Sequence, residues 1–301
     1  MNNQNKKYML STYKRTFFLL CAILLISIQH ISADVKLPAV FSNGMVLQQQ
    51  SSVPIWGWGA PGEKISISCS WSKQKIKVKA DDLGKWKTLI VTSKAGGPHI
   101  ISVVGKNKSI SIKDVLIGEV WLCSGQSNMV FNFGNSSTYL QDLNTMNYPN
   151  IRYMEVNRQV SAIPQDDAPG SIWEAINPEN SKKYSAAALY FAIKLQKEMN
   201  IPVGIIEAAW GGTSIDNWMP ADVLKYNMYL SGSLERWEEW KNEFKGDSIS
   251  YYAALAAFEK KEITIKPKMP TSVYINQRPH RMPSGLYNGL IAPIVQFKIK
   301  G

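Results

Sequence analysis

Glu119-Val-Trp-Leu-Cys-Ser124-Gly125-Gln126-Ser127-Asn128-Met129-Val-Phe-Asn-Phe133 is the stretch on which the reading of this chain turns. An apolar run, Val115 to Cys123, stops at Ser124-Gly125, and a serine follows two residues later. Such a run fits a strand buried on both faces, as in a parallel sheet. A glycine turn at its end leaves a hydroxyl at the strand's carboxyl edge, where ligands of open α/β sheets bind. Asn128 and Met129 are expected to open a helix, whose free N–H groups would stabilise an oxyanion. Ser127 is therefore the candidate nucleophile. The spacing is not the Gly-x-Ser-x-Gly elbow, because Met129 stands where its second glycine would be.

Downstream, Ser185 is a helix cap before Ala186 to Met199, whose apolar residues recur at helical spacing. Asn200 and Pro202 end that helix, and Val203 to Ala209 reads as the next strand. Helix then strand after the serine unit is βαβ order, and so a parallel sheet. The strand runs into Trp210-Gly211-Gly212-Thr213-Ser214. Gly211 and Gly212 let backbone N–H groups approach a ligand closely, which makes them candidates for an oxyanion hole. The polar segment from Asn132 to Pro169 reads as connecting loops. A helical insertion is expected over about 221–262, where Leu234, Trp237, Trp240 and Phe244 recur every three or four residues. A stripe of that kind packs on the body of a protein more often than it stacks a sugar. The closing run Val295 to Gly301 has the composition of a chain entering another strand.

Upstream, residues 34–114 are short alternating segments separated by turns such as Ala60-Pro61-Gly62, Asp81-Asp82-Leu83-Gly84 and Gly96-Gly97-Pro98. Seven such segments predict an all-β sandwich domain. Gly57-Trp-Gly59-Ala-Pro-Gly62 has dinucleotide-binding spacing, but a strand rather than a helix follows it, so it is a turn. His99, at a strand start, is a structural histidine. The chemistry therefore falls to residues 115–301.

The first 33 residues form a signal-peptide pattern: Lys6, Lys7, Lys14 and Arg15, an apolar run from Phe17 to Ile28, then Ile31-Ser32-Ala33. The formal charge of +11 counts the four cations of that leader, so +7 belongs to the rest. The remaining cations are spread along the chain without a recognition motif, which argues against nucleic acid as a partner. A secreted or periplasmic location is expected, with no stable membrane insertion after cleavage. Cys69 and Cys123 lie within two separate strands and read as buried small apolar residues.

Gly118 to Met129 closely resembles the nucleophile block of the sialate O-acetylesterase-like branch of the SGNH hydrolases. Ala208 to Trp218 resembles the glycine block of that family. Leu286 to Pro293 and Leu37 to Gln48 resemble two further family segments. The resemblance implies an SGNH-type parallel-sheet α/β domain preceded by the β-sandwich, and an esterase that removes acetyl groups from sugar hydroxyls. It implies no metal and no organic cofactor. Ser127 would attack the acetyl carbonyl, and its own N–H with that of Gly211 or Gly212 would hold the oxyanion. Family members carry a further asparagine block and a base-bearing Asp-x-x-His block, and neither pattern occurs in this sequence. The chain thus reads as a C-terminally truncated copy, expected to be weakly active or inactive alone. No motif supports His280 as the base, and it reads as a surface-loop histidine. The substrate is an acetylated sialic acid or related glycan. The alternatives are acetylxylan or another plant polysaccharide, or a glycan-binding protein without turnover.

Overall fold

The computed structural model describes residues 34–301, and the expected leader, 1–33, lies outside them. Ten strands are present among the described residues: β1 Val46–Gln48, β2 Ser52–Trp58, β3 Lys64–Cys69, β4 Lys75–Lys79, β5 Lys85–Val91, β6 Gly96–Val104, β7 Ser109–Gly125, β8 Tyr148–Glu155, β9 Trp173–Ile176 and β10 Val203–Ala209. The α-helices are α1 Tyr139–Asp142, α2 Pro178–Ser181, α3 Ala186–Met199, α4 Ala221–Tyr226, α5 Gly232–Glu259 and α6 Thr271–Asn276.

Strand β7 is the spine. Its first half pairs antiparallel with β6 in the order β4-β3-β6-β7, while β2 and β5 form a separate antiparallel pair. Ile55, Ile65, Ile67, Ile90, Ile101 and Val103 are buried between these layers. The alternation along β3, with Ile65, Ile67 and Cys69 buried and Lys64 exposed, follows from the pleat. Gly57-Trp-Gly59-Ala-Pro-Gly62 is the connection from β2 to β3, as its lack of a following helix implied. His99 Nδ1 lies 3.3 Å from Ser70 Oγ, and its ring meets Trp71 edge-on at 5.2 Å.

The second half of β7 pairs in parallel with β10, and β10 in parallel with β8, with β9 antiparallel at the edge. The chain changes role at Asp114, which has φ +56 within the strand. Its carboxylate accepts two hydrogen bonds from Arg152, Nη1 to Oδ2 at 2.5 Å and Nη2 to Oδ1 at 3.1 Å. A bidentate pair of this kind fixes orientation as well as energy. It ties the kink to β8 and gives a buried guanidinium its counter-charge.

Strand β8 corrects the expectation of loops between Asn132 and Pro169, and β9, just past that stretch, extends the sheet. Pro149, Asn150 and Arg152 broke the apolar pattern, yet Ile151, Tyr153 and Met154 are buried. Arg152 sits in a buried strand because Asp114 waits for it. Helix α3 starts at Ser185, whose hydroxyl accepts from Ala188 N–H, and ends at Asn200 in the left-handed conformation. It lays Leu189, Ala192 and Ile193 on Ile151, Tyr153, Val203 and Ile205, covering one face of the parallel sheet. Leu286, Leu290, Ile294 and Phe297 from the tail reach the main core, with Met154, Ile206 and Ala208 from the sheet. Lys300 N–H donates to Val120 O at 2.7 Å and Leu122 N–H to Gly301 O at 2.9 Å, so the tail does join β7.

On α5 the residues Leu234, Trp237, Trp240 and Phe244 are half-buried along one side, against charged neighbours. None of the described helices is long and apolar enough to cross a membrane. Cys69 and Cys123 are free and buried, and burial pushes each thiol up to about 11, with Glu207 adding to it at Cys123.

Candidate active site

Ser127 stands beyond the carboxyl end of β7 and is exposed. Gly125 bends the chain there with φ +148, a conformation that side chains rarely adopt. The turn that follows is held by Met129 N–H and Val130 N–H, both donating to Gln126 O, at 2.9 and 3.0 Å. No helix opens at Asn128, which corrects the expectation from the sequence. The residues Asn128 to Asn135 include valine, glycine and asparagines, which are poor helix formers. Their backbone groups go instead to the approach of α3: Ala186 N–H donates to Phe131 O, Phe133 N–H to Tyr184 O and Gly134 N–H to Lys182 O. Helix-end N–H groups are therefore not what faces Ser127.

The glycine turn is. Trp210 N–H donates to Gly125 O at 3.1 Å, locking the ends of β10 and β7 together. A Cβ added at Gly211 would lie 3.8 Å from Ser127 Cβ and 3.6 Å from its Cα. Gly211 and Ser127 are thus in van der Waals range, with no side chain between them. Gly212 has φ +73, which again favours glycine. The turn is braced from below. Thr213 Oγ1 donates to Trp210 O at 2.8 Å, and Trp218 Nε1 donates to Thr213 Oγ1 at 3.0 Å. Ser127 Oγ has no hydrogen-bond partner among the described residues.

A third segment, Pro279–Arg281, closes on the glycine turn. Fully buried Asn217 joins the two: Ser214 N–H donates to its Oδ1 at 2.8 Å, and its Nδ2 donates to Arg281 O at 2.9 Å. The His280 ring stacks on Trp210, 5.2 Å between centroids and 9° from parallel. This corrects the surface-loop placement: His280 is half-buried beside the residue that precedes Gly211. Its pKa is lowered by burial first, then by Arg281 and Arg278, so the ring is neutral at neutral pH. Asn217 and His280 escaped the sequence reading because contacts across about 64 positions define them, and no local motif marks such a contact.

Next to the turn, at the end of β8, is a cleft of about 340 Å³ lined by Glu155, Asn157, Arg158, Glu174, Lys183 and Tyr184 among others. The Arg158 guanidinium lies 6.0 Å from the Trp210 ring centre. Below it two hydrogen bonds are linked by a ring stack. Tyr153 Oη–H donates to Glu207, Tyr153 stacks on Tyr184 at 4.1 Å, and Tyr184 Oη–H donates to Glu174 at 2.5 Å.

Glu207, on β10 three residues before Trp210, has its carboxyl pKa raised, mainly by burial, against the hydrogen bond from Tyr153. The folded chain then binds that proton more tightly than the unfolded chain. Stability from this group is therefore greatest below the unfolded carboxyl value and declines as pH rises through the folded one. Glu207→Gln removes the titration and keeps an acceptor for Tyr153. Its Tm relative to the parent is expected to improve from about pH 4 to about pH 8. A deficit of equal size at both ends, read by thermal melts, would show that the folded carboxyl pKa is not raised, and one that grows toward pH 8 would show that the carboxylate is needed in its charged form.

With this geometry in view, three comparisons agree. Residues 117–252 match the family described as carbohydrate esterase, sialic acid-specific acetylesterase. Sialate O-acetylesterases of Homo sapiens and Pongo abelii are each 30% identical over 209 residues, covering 63% of this chain and 40% of the relative. The chain thus spans about 40% of the length of the curated relatives it matches. The solved structure of a carbohydrate acetylesterase from Xanthomonas citri superposes with a TM-score of 0.68 at 28% identity, over 89% of this chain and 50% of that one. The mixed sheet with its parallel strands matches the fold of that carbohydrate acetylesterase, and residues 117–252 of the chain are similar to the sialic acid-specific acetylesterase family of carbohydrate esterases.

Proposed function

We propose that this chain carries the nucleophile and oxyanion site of an extracytoplasmic esterase that removes O-acetyl groups from sialic acids or related glycans. The observation that carries the reading is the exposed Ser127 set against Gly211 at the joined ends of two parallel strands. In this reading Ser127 Oγ attacks the acetyl carbonyl. The carbonyl oxygen takes up the negative charge, and the N–H groups of Ser127 and of Gly211 or Gly212 donate to it. The C–O bond to the sugar then breaks, the sugar oxygen leaves with a proton, and water later releases acetate from the acetyl-serine. The division into a β-sandwich over 34–114 and an esterase domain over 115–301 belongs to the same proposal, and the kink at Asp114 supports it.

The test uses an ester whose leaving group departs without a proton, so that it depends least on a general acid. The purified chain is mixed with p-nitrophenyl acetate, quenched, digested and weighed. An acetyl group on the peptide that contains Ser127, with release of nitrophenolate, is the expected result. Acetate release from acetylated sialic acid and from acetylated xylan then ranks the substrates. Sugar binding with no acetyl-serine and no acetate release would establish a glycan-binding protein instead.

A further inference from the structure

The rim of the Ser127 site carries cations that outnumber their counter-charges. Arg281 Nη2 would lie 3.8 Å from a Cβ on Gly212. Arg278 and Arg281 both lie over the ring of Tyr274, at 3.7 and 5.2 Å from its centre. Arg158 is on the Trp210 side, paired with Glu155 at 3.2 Å. Among the described residues neither Arg278 nor Arg281 has a carboxylate partner. Arg278 Nη1 donates to the backbone carbonyl of Tyr274 at 3.2 Å. Arg281 Nε–H is buried and has no hydrogen-bond partner among them. The acid on the adjoining segment, Asp216, already accepts the Ser214 hydroxyl hydrogen bond.

A partly buried guanidinium without a counter-ion is costly, and its planar fork of donors matches a carboxylate. Stacking on Tyr274 holds both guanidinium groups in place before any ligand arrives. The two glycines are consecutive, so the Arg281 terminus is at most about 14 Å from Ser127 Cβ. One acidic sugar with an extended side chain can bridge that span.

We propose that Arg281, assisted by Arg278, binds the carboxylate of an acidic sugar and so selects acetylated sialic acids over neutral acetylated glycans at the Ser127 site. This rests on the proposed esterase reading for its biological meaning, but the site is tested by binding alone.

The full chain is titrated by calorimetry with N-acetylneuraminic acid and with its methyl ester, which keeps the shape and loses the charge. The acid is expected to bind roughly 10-fold tighter or more, as for hydrogen bonds to charged groups. Arg281→Gln is expected to abolish that preference. Arg281→Lys, which keeps the charge without the fork, should fall between the two. Circular dichroism checks that each variant folds, and the acid-to-ester comparison on the parent chain stands whatever the variants do. Ser127→Ala is expected to retain the preference. Equal binding of acid and ester, no binding of the acid, or a preference that survives in folded Arg281→Gln would each overturn the proposal. Failure of p-nitrophenyl acetate to label Ser127, with the acid preference intact, would instead strike the esterase reading and leave the carboxylate site standing.

Discussion

Ser127→Ala is expected to stop acetyl transfer and leave the fold unchanged. The side chain is exposed, and among the described residues its hydroxyl holds no hydrogen bond, so nothing in the structure is lost with it. Surface changes of that kind move stability by about 0.5 kcal/mol or less. The reaction has no substitute for the hydroxyl, and loss of a nucleophile costs roughly 10³-fold or more in rate. The measurement is nitrophenolate and acetate release, beside a thermal melt of the same preparation. Ser124 supplies the control. It is exposed at the end of β7, three residues earlier, and its register partner is Ala208 rather than the glycine turn. Ser124→Ala should keep full activity. If Ser124→Ala is the inactive variant and Ser127→Ala is not, the nucleophile has been assigned to the wrong serine.

The strand that leads to Ser127 was legible because its burial is local information: a largely apolar run, interrupted by Glu119, that ends just before a glycine. The same holds for β10 and α3, whose composition, cap and stop signals all agree. The turn Trp210-Gly211-Gly212 was legible as a turn, and its pairing with Ser127 followed from parallel order. What was not legible depends on partners distant in sequence. Strand β8 hid behind Arg152, which becomes a buried strand residue only once Asp114 is opposite. The helix expected at Asn128 lost to backbone hydrogen bonds with residues 182–186, which the local sequence does not mention. His280 had no motif around it, and contacts distant in sequence, the Asn217 bridge and the Ser284 N–H to Asp216 O hydrogen bond, bring its segment to Trp210. In each case a long-range contact overruled a weak local preference.

Gly118→Ala is expected to destabilise the chain by about 3 kcal/mol or more, the upper end of what added methyl groups cost in a packed interior. Gly118 lies midway along β7, where Pro202 leads the chain into β10. A Cβ there would fall 2.0 Å from Pro202 O and 2.6 Å from its carbonyl carbon. No rotamer change relieves that clash, because both sides are backbone. Nor is the strand free to back away: Gly118 O accepts Gln49 N–H at 2.8 Å, and Glu119 N–H donates to Pro202 O at 3.0 Å. Two counter-tests give the prediction its sign. A Cβ at Gly246, on the exposed middle of α5, meets nothing within 4 Å. Gly246→Ala should therefore stabilise, by up to about 1 kcal/mol, through helix propensity alone. A Cβ at Gly211 meets its neighbours at ordinary contact distance, so Gly211→Ala should fold and act, if at all, on catalysis. Urea unfolding of the three variants separates these cases. A Gly118→Ala midpoint close to the parent's would mean that β7 and the entry to β10 do not approach as closely as here. The register that sets Gly211 against Ser127 would then lose its support, since both turns hang from the ends of those two strands.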